Sequence, residues 1–145
     1  METTASRPVV GLVSKALPVA CCVALAGAAF VVATNDPAAA NSHFPGCVFH
    51  NATGMWCPGC GLTRGIHALL NGHIGQALSA NVFTLFAVAA IVVLTASWVR
   101  VAWGGSWLRL PARIERPLMF VGPAAILLYG VLRNIPAAPF RSLAP

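Results

Sequence analysis

Apolar residues in this chain are gathered into long runs and do not alternate with polar ones. Residues 16–34 form an uncharged run of about the 20 residues that a helix needs to cross a bilayer. Its length favours a retained anchor over a cleaved signal peptide, whose apolar core is only about 7–15 residues. Pro18 falls in the first turn of this span, where proline is tolerated. A second run, VFTLFAVAAIVVLTASWV over residues 82–99, is the clearest span and sits inside a helix predicted over 74–103. A third, shorter run occupies 117–133, where Gly122 and Pro123 are expected to bend or locally open the helix. Between the first two runs the spacing changes. Leu62, Ile66, Leu69, Leu70, Ile74 and Leu78 recur mostly every three or four residues, which marks one helical stripe. A short interfacial helix is predicted over 63–71, with Thr63 as its N-cap and Asn71-Gly72 as its stop.

The segments between these runs read differently. Residues 35–63 are rich in Pro, Gly, Asn, Ser and Thr, yet they carry Phe44, Phe49, Met55 and Trp56, which demand burial. That combination predicts an ordered loop. Residues 104–116 form a basic loop, and residues 134–145 a proline-broken, non-helical tail. The expected architecture is an all-α membrane protein. It has about three transmembrane helices, a short interfacial helix and an ordered cysteine-containing loop, in one integral membrane domain over 1–145.

Composition strengthens this reading. Charged residues make up only 8% of the chain and hydrophobic ones 58%, with a mean hydropathy of +0.78. A soluble domain carries about 25% charged residues, so this chain could not cover a globular surface with polar groups. The net charge of +6 would point to nucleic acid in a soluble protein. Here the arginines fall between apolar runs and form no basic cluster interleaved with aromatics, so lipid headgroups replace nucleic acid as the expected partner. Another membrane protein or a second copy of the chain is the other expected partner.

The basic residues also set an expected orientation. Three spans put Arg7, Lys15, Arg100, Arg109, Arg113 and Arg116 on one side, against Arg64, Arg133 and Arg141 on the other. An excess of Lys and Arg marks the cytoplasmic side. Residues 1–15 are therefore expected inside and the cysteine loop outside, where thiols tend to oxidise.

The stretch CVFHNATGMWCPGCGLTRGIHALLNGHIGQALSANVFTL resembles the core of a bacterial family of small membrane proteins, domain of unknown function 2752, built around a CP-x-CG-x-TR motif. Cys57, Pro58, Cys60, Gly61, Thr63 and Arg64 match that motif. Cys47 and His50 match an upstream C-x-x-H element. Leu69, Leu70, Gly72, Ala77 and Asn81 match the pattern that follows, and 133–136 the usual ending. Val82 and His73 depart from the family, which often has proline and an acid there. The resemblance implies a bacterial inner-membrane protein and no particular activity.

The spacing of Cys47, His50, Cys57 and Cys60 leaves several chemistries open. Three thiolates and an imidazole suit tetrahedral zinc in a structural site, with His67 an alternative fourth ligand. A CxxC pair before a helix can also run thiol–disulfide exchange, Cys57 attacking, Cys60 resolving and Cys47 shuttling. The plainest reading is a disulfide that staples the loop and leaves one thiol free. The spacing commits the chain to no cofactor, with zinc as the candidate ion. Arg64, with Arg133 and Asn134 on the same side, is a candidate for a lipid phosphate or a partner carboxylate, against the simpler role of an interfacial arginine. Cys21 and Cys22 lie in the first span and read as small hydrophobes. His43 and His73 read as exposed or hydrogen-bonded. No paired carboxylates and no nucleophile–base–acid set appear, so the chain reads as a membrane scaffold or subunit more readily than as an enzyme.

Overall fold

The computed structural model describes residues 7–42, 44–109, 111–138 and 140–143. Glu2 and His43 lie outside this description, as do the side chains of Arg7 and Arg141. The described chain is helical and contains no strand. Its elements are α1 (Arg7–Thr34), α2 (Val48–Thr53), α3 (Leu62–Leu70), α4 (Ile74–Ala80), α5 (Thr84–Ala102) and α6 (Ala112–Leu132), followed by a 3-10 turn, Phe140–Leu143. Among the described residues three helices are long and apolar enough to span a bilayer: Val13–Thr34 within α1, α5 and α6, with mean hydropathies of 2.4, 2.1 and 1.3.

These spans meet at one end. The last carbonyls of α1 lack intrahelical donors, and α3 supplies them. His67 Nδ1 donates to the Val32 carbonyl at 2.7 Å and Asn71 Nδ2 to that of Ala33 at 3.1 Å. α3 closes on Gly72, whose φ of +81° suits glycine, and His73 N–H and Gly72 N–H donate back to the carbonyls of Ala68 and Leu69. α4 then packs against α3, and α5 against α1. The C-terminal turn of α6 returns to the same end, where Tyr129 meets Phe83 edge-on at 5.2 Å and Gly130 abuts Pro58. The cysteine loop thus sits where α1 ends, α5 begins and α6 ends.

Several sequence expectations need correcting. The helix predicted over 74–103 is two helices. Asn81 is extended (φ −162°, ψ 119°), its Oδ1 accepts from Phe83 N–H, and its carbonyl accepts from Thr84 N–H and Oγ1. Those bonds end α4 and start α5 in a way that apolar periodicity does not reveal. The cap of α3 is Gly61, with φ +82°, and Thr63 lies within the first turn. Because α1 starts at Arg7, Pro18 is interior to it and buried. The end of the basic loop is helical: α6 begins at Ala112 and takes in Arg113 and Arg116. α6 also runs unbroken through Gly122 and Pro123, since a proline removes one N–H without forcing a helix apart. The loop at 35–63 contains α2, and the tail contains a 3-10 turn.

The tightest approach is at Gly65 of α3. A Cβ there would collide with Thr84 Oγ1 and come within 3.1 Å of the Ala77 carbonyl, whereas Gly75 faces open space. Gly65→Ala is therefore expected to destabilise the protein by about 1–3 kcal/mol through overpacking. Gly75→Ala should be neutral or stabilising by up to about 1 kcal/mol. Thermal unfolding in detergent measures both.

Candidate functional site: a three-thiol cup

The CPGC segment cannot form regular structure, because Pro58 lacks an N–H and Gly59 and Gly61 favour a turn. Instead it turns tightly, with Cys60 N–H donating to the Cys57 carbonyl at 3.1 Å and Leu62 N–H to that of Gly59 at 3.0 Å. The turn points Cys57 Sγ and Cys60 Sγ toward each other, 3.2 Å apart. Cys47, at the start of α2, comes from the other side of the loop and places its Sγ 3.5 Å from that of Cys57. All three sulfurs lie within 4.8 Å of one another. Cys47 and Cys57 are half-buried, and Cys60 is 6% exposed.

All three are free thiols, so the stapling disulfide expected from the sequence is not formed. A disulfide needs sulfurs about 2.05 Å apart. Four-coordinate zinc, with bonds of about 2.3 Å and tetrahedral angles, holds its sulfurs about 3.8 Å apart. The observed 3.2 and 3.5 Å are closer to the second figure.

The cup is held from behind by side chains from two other segments. Asn81, fully buried, donates through Nδ2 to the carbonyls of Pro58 (2.8 Å) and Cys60 (3.1 Å). Arg133, 2% exposed, donates through Nη1 to the Cys60 carbonyl at 2.8 Å and, more distantly, to those of Cys57 and Pro58 at 3.4 and 3.5 Å. Its guanidinium also lies 5.0 Å from the centre of the Tyr129 ring. Asn134 makes a paired contact with Trp56: Trp56 N–H donates to Oδ1 and Nδ2 donates to the Trp56 carbonyl, each at 2.8 Å. Every backbone carbonyl from Trp56 to Cys60 except that of Gly59 is therefore bonded to a side chain.

This placement changes several roles. Arg133 does not snorkel toward headgroups; it is buried against the loop and unavailable to a lipid phosphate. Asn134 is likewise occupied. Thr63 and Arg64 stand exposed at the start of α3, on the rim of a cavity of about 420 Å3. That cavity is also lined by Phe44, Cys47, His50 and Cys60. His50 is near the sulfurs but turned away. Its ring stacks on Trp56 at 3.8 Å, and Nδ1 donates to the Met55 carbonyl at 3.3 Å. The sulfur cluster therefore comprises Cys47, Cys57 and Cys60. His67 is committed to α1, His73 is exposed, and Cys21 and Cys22 lie in the first span. The residue that sequence reasoning missed is Asn81. Its only signal was a polar amide at the start of an apolar run, in a position matched by the family.

The thiols differ in acidity. The backbone N–H of His50 favours the Cys47 thiolate, aided by the thiols of Cys60 and Cys57, and brings Cys47 from 9.0 down to about 7. Cys60 is pushed up to about 12, chiefly by burial and then by the neighbouring thiols of Cys57 and Cys47. Cys47 is thus far more acidic than Cys60, although it lies outside the CxxC pair.

Fold and site together define a helical protein with three candidate membrane spans and a cluster of three thiols at the end where they converge. Residues 47–95 match the family described as "Protein of unknown function (DUF2752)", the family that the motif resembles. The matched segment contains the whole thiol cluster and Asn81, whereas Arg133 and Asn134 lie beyond it. No curated protein and no solved structure matches the chain.

Two outcomes are expected. In chelator-treated protein, only the thiolate form of a cysteine is alkylated. Cys47 alkylation should rise through about pH 7, while Cys60 stays unreactive until the solution is strongly alkaline; peptide mapping after a pH series reads both. Asn81→Ala leaves the Pro58 carbonyl without its shortest hydrogen bond and removes the bond that starts α5. It should cost about 1–3 kcal/mol, seen as a lowered unfolding temperature.

Proposed function

We propose that this is a metal-binding protein of a bacterial cytoplasmic membrane, a scaffold or subunit whose loop is fixed by an ion held on Cys47, Cys57 and Cys60. The observation that carries this reading is the convergence of three sulfurs on a backbone already fixed by Asn81, Arg133 and Asn134. Three thiolates form a soft donor set suited to zinc-class ions. Coordination would also deprotonate Cys60, whose thiol burial otherwise keeps neutral. The cavity beside Cys47 and Cys60 leaves room for a fourth donor, either water or His50 after a ring rotation. The positive-inside rule supports a cytoplasmic N-terminus and an extracytoplasmic loop. A bound ion would keep such thiols from oxidising. The exposed Thr63 and Arg64, together with the outward faces of α5 and α6, are the surfaces on which lipid or a partner protein would bear.

A second reading, thiol–disulfide exchange, is favoured by the acidity of Cys47. Its thiolate would attack Cys57 of a Cys57–Cys60 disulfide, forming Cys47–Cys57 and releasing the Cys60 thiolate. A thiol pushed up to about 12 is a poor leaving group, which places exchange second.

Metal analysis of protein purified under reducing conditions tests the choice. About one zinc per chain is expected, lost in each of Cys47→Ser, Cys57→Ser and Cys60→Ser. Metal-free protein that traps a mixed disulfide at Cys57 would support exchange instead.

A further inference from the structure

No carboxylate among the described residues pairs with the positive charge of Arg133. Among the described residues the acids are Asp36 and Glu115, and neither forms an ion pair. Asp36 is exposed and accepts from Ala38 N–H. Glu115 lies in the first turn of α6, about 27 Å along the helix from Arg133 at 1.5 Å per residue. Nη1 of Arg133 is satisfied by loop carbonyls and the guanidinium lies over the Tyr129 ring, but Nε and Nη2 are buried without a hydrogen-bond partner. A covered, unpaired guanidinium is costly, so such charges are normally matched by an opposite one.

The sulfurs are the groups able to supply that charge. Nη1 bonds to the carbonyls of Cys57 and Cys60, and four covalent bonds separate each carbonyl oxygen from its own sulfur. Both sulfurs therefore lie within about 8 Å of the guanidinium. Three thiolates around a divalent ion carry one net negative charge, which Arg133 would bring to zero. Around a monovalent ion they carry two, and one would remain uncompensated at a covered site.

We propose that Arg133 is the built-in counter-ion of a divalent tris-thiolate centre on Cys47, Cys57 and Cys60, so that metal loading is coupled to the seating of α6 on the loop. This inference rests on the metal reading above and adds the charge of the ion and the residue that balances it. Arg133 touches no metal; it acts through the charge it places behind the sulfurs. Loss of the ion would leave the guanidinium unmatched and loosen the hold of α6.

The test uses the full-length chain in detergent under reducing conditions. Zn2+ is titrated against a competing chelator, and the zinc-induced rise in Tm is read on the same samples. Arg133→Met should weaken zinc binding about 10–100-fold, the range for residues that support metal ligands from behind. Its zinc-induced rise in Tm should shrink while the metal-free Tm changes little, because the variant also removes an unmatched buried charge. Arg133→Lys retains the charge and should retain most of the affinity. A clamp acting only through its hydrogen bonds predicts otherwise: both variants would lower the metal-free Tm, and zinc affinity would stay as in the wild type. Wild-type zinc affinity in Arg133→Met overturns the counter-ion role and leaves the metal centre standing. If that variant does not fold, a Lys variant that has lost tenfold or more in affinity overturns it equally. A wild-type protein that takes no zinc overturns the metal centre itself.

Discussion

The buried guanidinium of Arg133, gripping the carbonyls of a cysteine turn, is the contact on which the functional end of this molecule depends. A CPGC turn exposes its backbone oxygens on one side and its thiols on the other. Left in an apolar setting, those oxygens would each cost a lost hydrogen bond. Arg133 and Asn81 converge on the same carbonyls from the end of α6 and the start of α5, and Asn134 completes the set on Trp56. With the oxygens bonded behind, the sulfurs of Cys57 and Cys60 are directed forward, where Cys47 meets them.

The same contacts organise the membrane segments. α6 is exposed along most of its length and meets the remainder of the protein chiefly at its C-terminal end, through Tyr129, Gly130 and the Arg133 and Asn134 that follow it. α1 is tied in through its last carbonyls by His67 of α3 and by Asn71 just after it, and α5 follows directly on Asn81, which also holds the cup. The three candidate spans are thus joined by polar contacts at one end, while their flanks remain apolar. Apolar packing between helices gains little in lipid, since lipid tails are as apolar as leucine, and polar contacts then carry more of the specificity.

Electrostatics gives the site its character. The thiols of one small loop span about five pKa units, from about 7 at Cys47 to about 12 at Cys60. Backbone N–H donation sets the first and burial the second. Exchange chemistry needs a resolving thiol that leaves easily. A metal ion needs only that binding outweigh deprotonation. With a permanent positive charge behind the sulfurs, the arrangement suits holding a charge more than moving electrons.

Much of this was legible in the sequence. The helical class and three apolar runs followed from composition and run length, because a bilayer forces backbone polar groups to be satisfied within each helix. The motif drew attention to Cys47, Cys57 and Cys60 through spacing alone. What the sequence could not reveal depends on contacts between segments far apart in the chain. Periodicity joined α4 to α5, because Asn81 separates them through polar bonds to Phe83 and Thr84 that leave no mark on apolar spacing, while its amide nitrogen is held by the distant turn at Pro58 and Cys60. Arg133 read as a headgroup arginine from its position at the end of a span, yet it folds inward, since the carbonyls of a loop some 75 residues earlier give it better partners than its neighbours do. His50 had the spacing of a ligand, but stacking on Trp56 turned it aside. Local pattern fixes which segments are helical and which can cross a membrane. Only the tertiary structure decides which carbonyls an arginine holds and which sulfurs come within reach of one ion, because those outcomes depend on how helix ends meet.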